Sequence, residues 1–274
     1  MAALNAHSHS TTNSELISNL AKSIDKKEDL SRHSFTRYAV RSMLATLFLS
    51  LGTGVAFYIA GYADNLVPHS GKLLYAFMFS WSLVMIVYMN AELGTSNMMY
   101  MTSAVYNGKL RVLTALKILA TCIFFNFIGA VIFAYLLSLT TPYSHLTPDH
   151  YLFEAVSAKL AKTPLTQFVE GIFANIVVNT SVFVTLRMKD DAAKVWAMIF
   201  IIYIFAFLGF EHVIANFVSF SLAFFANGGP VEGMTLWSVL SNFLFSGLGN
   251  YVGGGLLIGL LYSWLNKKSD VYVD

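Results

Sequence analysis

Long apolar runs fill the chain between residues 38 and 264. A helix that crosses the hydrocarbon core of a bilayer needs about 20 mostly apolar residues. Such runs lie at residues 38–60, 73–106, 113–139, 166–186, 195–227 and 237–264. We therefore predict an all-α integral membrane protein with six transmembrane helices.

The second and fifth apolar runs are each interrupted by a polar motif. Residues 90–97 read NAELGTSN and residues 209–216 read GFEHVIAN, so each motif has a glutamate followed five residues later by an asparagine. Non-helical backbone at membrane depth is tolerated only where it is buried in protein or lines a wet cavity. The pattern predicts two broken helices with a polar path running past both breaks.

A second match supports an internal repeat. Asn126 and Gly129 in the third span are echoed by Asn250 and Gly253 in the sixth, and these asparagines lie 34 and 39 residues after the respective glutamates. Three spans are thus followed by three similar spans. Because an odd number of crossings reverses the chain, we expect an inverted-topology repeat. Its halves cover about 37–140 and 164–266, and its breaks meet near the midplane.

The segments outside the span domain, which we place at 37–266, are polar. Residues 1–36 lack the apolar core of a cleavable signal peptide. Leu20, Ile24 and Leu30 predict an amphipathic helix that lies against the cytoplasmic face. We interpret it as an ordered, non-catalytic helix, with a gating role as the alternative. Residues 267–274 form the predicted cytoplasmic C-terminal tail.

Charge is sparse and unevenly placed. Charged residues make up 12% of the chain, against about 25% in a soluble domain, and the net charge of +2 is too small to imply a nucleic-acid partner. Most Lys and Arg residues fall in four segments on one side of a six-span chain: Lys22, Lys26, Lys27, Arg32, Arg37 and Arg41; Lys109 and Arg111; Arg187, Lys189 and Lys194; Lys267 and Lys268. The positive-inside tendency makes that side cytoplasmic. We therefore predict a multi-pass protein of the cell membrane with both termini in the cytoplasm.

Few side chains inside the spans carry chemistry. His212 is the only histidine there, and a packing donor or a pore residue are the two interpretations, of which we favour the second beside a helix break. Glu92 and Glu211 are expected to accept backbone N–H bonds exposed by the breaks. Cys122 is the only cysteine, so we predict no disulfide, no metal site and no cofactor. Paired catalytic groups at membrane depth are absent from the sequence, which argues against an enzyme.

The motifs at 91–96, 209–216 and 249–255 together resemble the formate/nitrite transporter family. The resemblance covers about residues 35–265 and includes the order of all six spans. It implies an aquaporin-like protomer with its own pore, assembled as a homopentamer. It also implies passage of small monovalent anions such as formate, nitrite, hydrosulfide, acetate or lactate.

The same resemblance implies roles for individual residues. His212 is similar to the family's central pore histidine and Thr95 to the threonine opposite it. Lys159 resembles the lysine at the base of the outer vestibule, although a lysine that only anchors the interface is the simpler alternative. Asn175 and Asn216 correspond to asparagines that face the pore or brace its loops.

Two apolar constrictions follow from the resemblance. Phe79 and Phe205 match the outer constriction, and Leu83 and Leu93 match the inner one. Gly94 stands where many members carry Phe, so we expect a wider or looser inner constriction.

The residues also suggest how an anion crosses. An anion in such a constriction costs at least several kcal/mol, whereas a neutral weak acid costs far less. We expect Lys159 to attract the anion, which then gains a proton. Two routes remain open: His212 donates the proton, or Lys159 favours protonation from bulk water and His212 only forms a hydrogen bond. Glu170 is either an ordinary interfacial residue or a collector of protons at the outer mouth.

The function predicted from sequence is therefore proton-coupled transport of a small weak acid. The expected partners are the anion, a proton, the lipid bilayer and further copies of the chain. A pH-gated anion channel and a hydrosulfide channel are alternatives. A neutral-solute pore is less consistent, because the Asn-Pro-Ala turns and the filter arginine of such pores do not occur in the sequence.

Overall fold

The computed structural model describes residues 11–266, which form helices joined by short turns. The predicted tail at 267–274, its two lysines and residues 1–10 lie outside the described residues. The helices are α1 (Thr11–His33), α2 (Phe35–Leu66), α3 (Gly71–Tyr88), α4 (Gly94–Tyr106), α5 (Val112–Ser138), α6 (Tyr151–Leu160), α7 (Pro164–Thr185), α8 (Asp191–Leu208), α9 (Val213–Ala226) and α10 (Leu236–Asn250). A 3-10 turn covers Thr141–Tyr143, and α10 continues as a π-helix (Tyr251–Leu260) and then as α11 (Leu261–Leu265).

Within residues 11–266, six helical segments are long and apolar enough to cross a membrane, which confirms the predicted fold class. They are α2, α3, α5, α7, α8 and the continuous segment from α10 to α11. The second span is broken between α3 and α4, and the fifth is broken between α8 and α9. Asn90 at the first break and Gly209 at the second have φ values of 52° and 73°. Glycine, and less readily asparagine, adopts this left-handed conformation, which ends a helix at low cost.

The two halves of the chain pack in the same way. In the first half α2 packs along α3, and in the second α7 packs along α8. The short helices that follow the breaks cross to the other half: α4 packs against the π-helix of the last span, and α9 packs against α5. This exchange places both breaks in the interior of the bundle.

Glycines of the repeat allow the spans to approach closely. A Cβ atom added at Gly249 or Gly253 would collide with the backbone carbonyl oxygens of Phe168 and Ile172 in α7. A Cβ at Gly129, the repeat partner of Gly253, would lie 2.7 Å from the carbonyl oxygen of Met43 in α2. Small residues at these positions replace side-chain packing by direct contact between helix backbones.

Two helices outside the spans cover opposite ends of the bundle. The amphipathic helix α1 buries Leu20 and Ile24 and packs against α2, α4 and α5. Helix α6 buries Leu152 and Val156 and packs against α2, α9 and α10. Because α1 precedes the first span and α6 follows the third, they lie at opposite ends, called here the α1 end and the α6 end.

Gly253→Ala should lower the free energy of unfolding by about 1–3 kcal/mol, the usual cost of overpacking a tight contact. Gly247→Ala is the matched control, because the nearest heavy atom to an added Cβ there is 3.8 Å away, in Val213. The measurement is the thermal unfolding midpoint of both variants in the same detergent. Equal midpoints would contradict the packing described for α7 and the π-helix.

Candidate functional site

Each helix break is held by one asparagine from a neighbouring span. Asn126 accepts the Gly94 N–H at 2.8 Å and donates to the carbonyl oxygens of Ser42 and Glu92 at 2.6 and 2.9 Å. An amide side chain can donate and accept at once. It therefore satisfies both kinds of backbone group that the break leaves without a helical partner.

Asn250 repeats this arrangement at the second break. Its side chain accepts the Val213 N–H at 2.8 Å and donates to the carbonyl oxygens of Gly171 and Glu211 at 2.8 and 3.0 Å. The two asparagines thus make the same three bonds in the two halves. The internal repeat seen in the sequence is therefore a repeat of this hydrogen-bonded support.

The Glu92 carboxylate at the first break is buried and faces the α1 end. It accepts a hydrogen bond from Lys27 Nζ of α1 at 2.6 Å and another from Asn97 Nδ2 at 3.0 Å. Lys27 is itself only 9% exposed. Burial, the largest influence, lowers the pKa of Lys27, but Glu92 and its other neighbours outweigh burial, so the pKa lies above its ordinary value.

The Glu211 carboxylate at the second break is fully buried and faces the α6 end. Its Oε1 atom lies 3.1 Å from Lys159 Nζ and 2.7 Å from Lys162 Nζ. Its Oε2 atom accepts from the side-chain amides of Asn216 and Asn242 at 2.6 and 3.1 Å. Each break therefore has a carboxylate that is paired with lysine from outside the spans.

His212 and Thr95 meet between the two breaks. His212 precedes α9 as its N-cap, and its Nδ1 atom accepts the Ala215 N–H at 3.2 Å. Its Nε2 atom lies 2.8 Å from Thr95 Oγ1. Because Nδ1 accepts, we assign the ring proton to Nε2, which donates to Thr95. The Thr95 hydroxyl hydrogen then remains as a donor.

A narrow apolar cavity borders His212. Its volume is about 20 Å³, which is enough for about one water molecule. Phe79 and Phe205 both line it, and their rings pack edge to face with centroids 5.5 Å apart. The lining residues are Leu49, Phe79, Ser82, Leu83, Ile86, Leu93, Val178, Ile202, Phe205 and His212.

A larger polar cavity of about 250 Å³ lies at the α1 end. It shares Leu83, Ile86 and Leu93 with the narrow cavity, so these three residues lie between the two spaces. Lys26, Lys27 and Asn90 also line it. The path from the α1 end therefore changes from charged to apolar over a short distance.

Comparison with known proteins identifies the family of this chain. The family model described as formate/nitrite transporter matches residues 14–264. The chain belongs to the formate/nitrite transporter family.

Curated relatives and solved structures are similar to this formate/nitrite transporter over most of its length. The formate-nitrite transporter of Plasmodium falciparum (isolate 3D7) is 27% identical over 252 residues, covering 87% of this chain and 80% of the relative. An uncharacterised transporter of Bacillus subtilis (strain 168) is 28% identical over 244 residues, covering 88% of this chain and 93% of the relative.

Two solved structures share the fold at 24% sequence identity. An FNT family ion channel has a TM-score of 0.83 and covers 93% of this chain and 99% of its own. A pentameric formate channel with formate bound has a TM-score of 0.66, and the match covers 84% of this chain and 97% of the channel chain. The predicted aquaporin-like fold class is thereby confirmed, and this family member is a multi-pass membrane transport protein rather than an enzyme.

The structure brings most of the sequence-predicted site residues of this formate/nitrite transporter together. His212 and Thr95 are hydrogen bonded, and the four constriction residues line the same narrow cavity as His212. Asn175 braces the site: its Nδ2 atom donates to the carbonyl oxygens of Thr95 at 3.2 Å and Asn250 at 2.7 Å. Asn216 braces the Glu211 carboxylate.

The interpretation of the two glutamates needs a correction. They were expected to accept the backbone N–H groups freed by the breaks, but Glu92 and Glu211 accept from lysine and asparagine side chains instead. Asn126 and Asn250 take the backbone N–H groups. A carboxylate only accepts, whereas the amide also reaches the freed carbonyl groups.

One further expectation is corrected. A Cβ at Gly94 would lie 2.7 Å from Ile123 Cγ1 and 3.0 Å from Asn126 Oδ1, so this position faces α5 and does not widen the inner constriction.

Glu170 is paired in the structure, because Lys162 Nζ lies 2.6 Å from its Oε2 atom. Of the two interpretations of Glu170, this ion pair favours the ordinary interfacial residue.

Sequence reasoning missed the roles of Lys27, Lys162, Asn126 and Asn250. One signal pointed to Lys27: Leu20, Ile24 and Lys27 follow the i, i+4, i+7 spacing of one helix face, so a lysine stands on the apolar side of α1. Lys162 had no comparable signal, because it lies in a turn between α6 and α7.

Asn250→Ala should lower the free energy of unfolding by at least about 2 kcal/mol, because it leaves buried backbone groups of the second break without partners. Asn227→Ala is the control, since Asn227 makes two bonds in an exposed loop. Thermal unfolding of both variants measures the difference. A midpoint of Asn250→Ala within the error of the control would contradict the supporting role.

Proposed function

We propose that the protein transports small monovalent weak acids such as formate, nitrite, lactate and acetate together with a proton, and that the acid crosses the constriction in its neutral form. One observation carries this proposal. An apolar constriction beside a hydrogen-bonded His212 lies between two mouths that each contain a lysine paired with a buried carboxylate: the buried Lys27 at one and the partly buried Lys159 at the other. Cationic mouths attract anions, whereas the constriction between them favours a neutral species.

The constriction offers almost nothing that solvates an anion. Phe79, Phe205, Leu83 and Leu93 supply only apolar surface. Moving an unpaired charge into such surroundings costs several kcal/mol or more. A protonated weak acid avoids most of this cost, so protonation before the constriction is the favourable route.

The hydrogen bonds of His212 support the route in which the proton comes from water. Its Nδ1 atom is committed to the Ala215 N–H, and its Nε2–H to Thr95. A proton added at Nδ1 would break the N-cap bond and place a cation beside an apolar cavity. We infer that neutral His212 and Thr95 guide the acid by hydrogen bonding and that His212 does not itself ionise.

Lysines at the two ends are inferred to collect the anion. Lys159 at the α6 end and Lys27 at the α1 end each pair with the carboxylate of a break. Burial lowers the pKa of Lys159 and Glu211 only partly opposes this, so the pKa lies below its ordinary value. In its protonated form, the Lys159 side chain attracts an approaching anion electrostatically.

The α1 end is proposed to face the cytoplasm of the cell. The connections that carry Lys109 and Arg111, and Arg187, Lys189 and Lys194, lie there, since Lys109 pairs with Asp25 of α1, and Asn19 of α1 donates to the carbonyl oxygen of Leu186. Lys159 and Lys162 lie at the α6 end, and the larger number of basic residues at the α1 end follows the positive-inside tendency. We propose the plasma membrane as the location, and similarity in fold to a pentameric formate channel supports assembly as a homopentamer.

The test of this function is uptake of labelled formate and lactate into proteoliposomes, with and without an inward proton gradient. We expect uptake above that of empty vesicles and faster uptake with the gradient. An uptake rate that is the same with and without the gradient would indicate an anion channel. Absence of formate, lactate, acetate, nitrite and hydrosulfide flux in correctly assembled protein would overturn the proposal.

His212→Phe should reduce proton-linked uptake by about tenfold or more, equivalent to at least about 1.4 kcal/mol in the barrier. The variant removes the donor to Thr95 and keeps a ring of similar size. Thr95→Val is the companion variant, because it removes only the partner hydroxyl. Initial rates are compared after size-exclusion chromatography shows normal assembly, and unchanged rates in both would remove the pair from the mechanism.

Lys159→Gln should raise the half-saturating concentration of formate about tenfold, with a smaller change in maximal rate, because it removes attraction and not the passage itself. Lys72→Gln is the matched control. Lys72 begins the second span at the α6 end and lies over the Phe207 ring, away from Glu211. Equal half-saturating concentrations in the two variants would make Lys159 an interface anchor.

A further inference from the structure

Lys162 has a complete set of hydrogen-bond acceptors. Its Nζ atom lies 2.6 Å from Glu170 Oε2, 2.7 Å from Glu211 Oε1 and 2.9 Å from the Gly209 carbonyl oxygen. An ammonium group has three N–H donors. All three are therefore used, and Lys162 has none left for a substrate.

Lys159 has fewer hydrogen-bond acceptors than Lys162, and they lie farther away. Its Nζ atom lies 3.1 Å from Glu211 Oε1 and 3.4 Å from the Phe210 carbonyl oxygen. Both distances are long for a charge-assisted bond, which is usually about 2.7–2.9 Å. Within residues 11–266 these are its two acceptors, so one donor of Lys159 remains for an incoming anion.

The two lysines compete for the same oxygen atom. Lys162 holds Glu211 Oε1 more closely than Lys159 does. Glu170 lies on α7, and its Oε2 atom lies 2.6 Å from Lys162 Nζ. Burial lowers the pKa of Lys162, but Glu211 and Glu170 outweigh it, so the pKa lies above its ordinary value. Lys162 is thus a firmly charged partner for Glu211.

We propose that Lys162, held by Glu170, is a positioning residue that neutralises Glu211 and so leaves the Lys159 ammonium available to bind the substrate anion at the α6 end. The inference rests on the proposed function. Without Lys162, Glu211 would draw Lys159 into a closer pair, and Glu170 would be an unpaired negative charge at the mouth. Both changes weaken anion capture.

The test is the half-saturating concentration of labelled formate in proteoliposomes at one external pH with a fixed inward proton gradient. Lys162→Gln should raise it about fivefold or more, while the maximal rate changes less than about twofold. Lys162→Arg keeps the charge and should restore the half-saturating concentration to within about twofold of the starting protein. Lys72→Gln, which removes a positive charge at the same end, is the control.

A double variant distinguishes the bond that Lys162 makes to Glu211 from its contribution to the net charge. Lys162→Gln with Glu170→Gln has the same net charge as the starting protein but lacks the bond to Glu211. We expect its half-saturating concentration to stay raised. A return to the starting value would show that only net charge matters and would overturn the positioning role. If Lys162→Gln alone does not assemble, the double variant supplies the same comparison, because it leaves no unpaired carboxylate.

Failure of this inference is distinguishable from failure of the proposed function. If the starting protein shows no weak-acid flux, the proposed function fails and the inference falls with it. If the starting protein transports formate, and Lys162→Gln matches Lys72→Gln, only the role of Lys162 is overturned.

Discussion

Two helix breaks inside an apolar bundle impose the constraint on which the rest of the structure depends. Each break frees backbone N–H and carbonyl groups where no water replaces the lost helical bonds, and leaving them without partners costs several kcal/mol. Asn126 and Asn250 meet this requirement with matching sets of three bonds. The close approach of the spans, made possible by glycine, brings those asparagines within reach.

The carboxylates of the breaks extend the same constraint to the ends of the molecule. Glu92 and Glu211 are buried, and a buried carboxylate requires a cation or strong donors. Those cations come from outside the spans: Lys27 from α1, and Lys159 and Lys162 from α6 and the turn after it. Interactions that stabilise the breaks thus also place positive charge at both mouths.

Between these charged mouths the pathway is apolar and narrow. Phe79, Phe205, Leu83 and Leu93 border a space of about 20 Å³, and its polar lining residues are Ser82 and His212, which is hydrogen bonded to Thr95. The proposed proton-linked transport rests on this contrast. Lysine partners stabilise charge at the two ends, whereas the apolar cavity between them disfavours charge.

The amino-acid sequence by itself determined the six spans, the two breaks, the inverted repeat and the family, because apolar runs, interrupting motifs and their spacing are all local patterns. The resemblance to the family also implied the constriction residues Phe79, Phe205, Leu83 and Leu93. Tertiary structure decided which side chains pair. Lys27 and Glu92, or Lys162 and Glu211, are 65 and 49 residues apart, and no local pattern states which lysine reaches which carboxylate. The direction of Gly94 toward α5 and the tautomer of His212 were likewise decided by neighbouring atoms in space, since both depend on contacts that only the packed helices create.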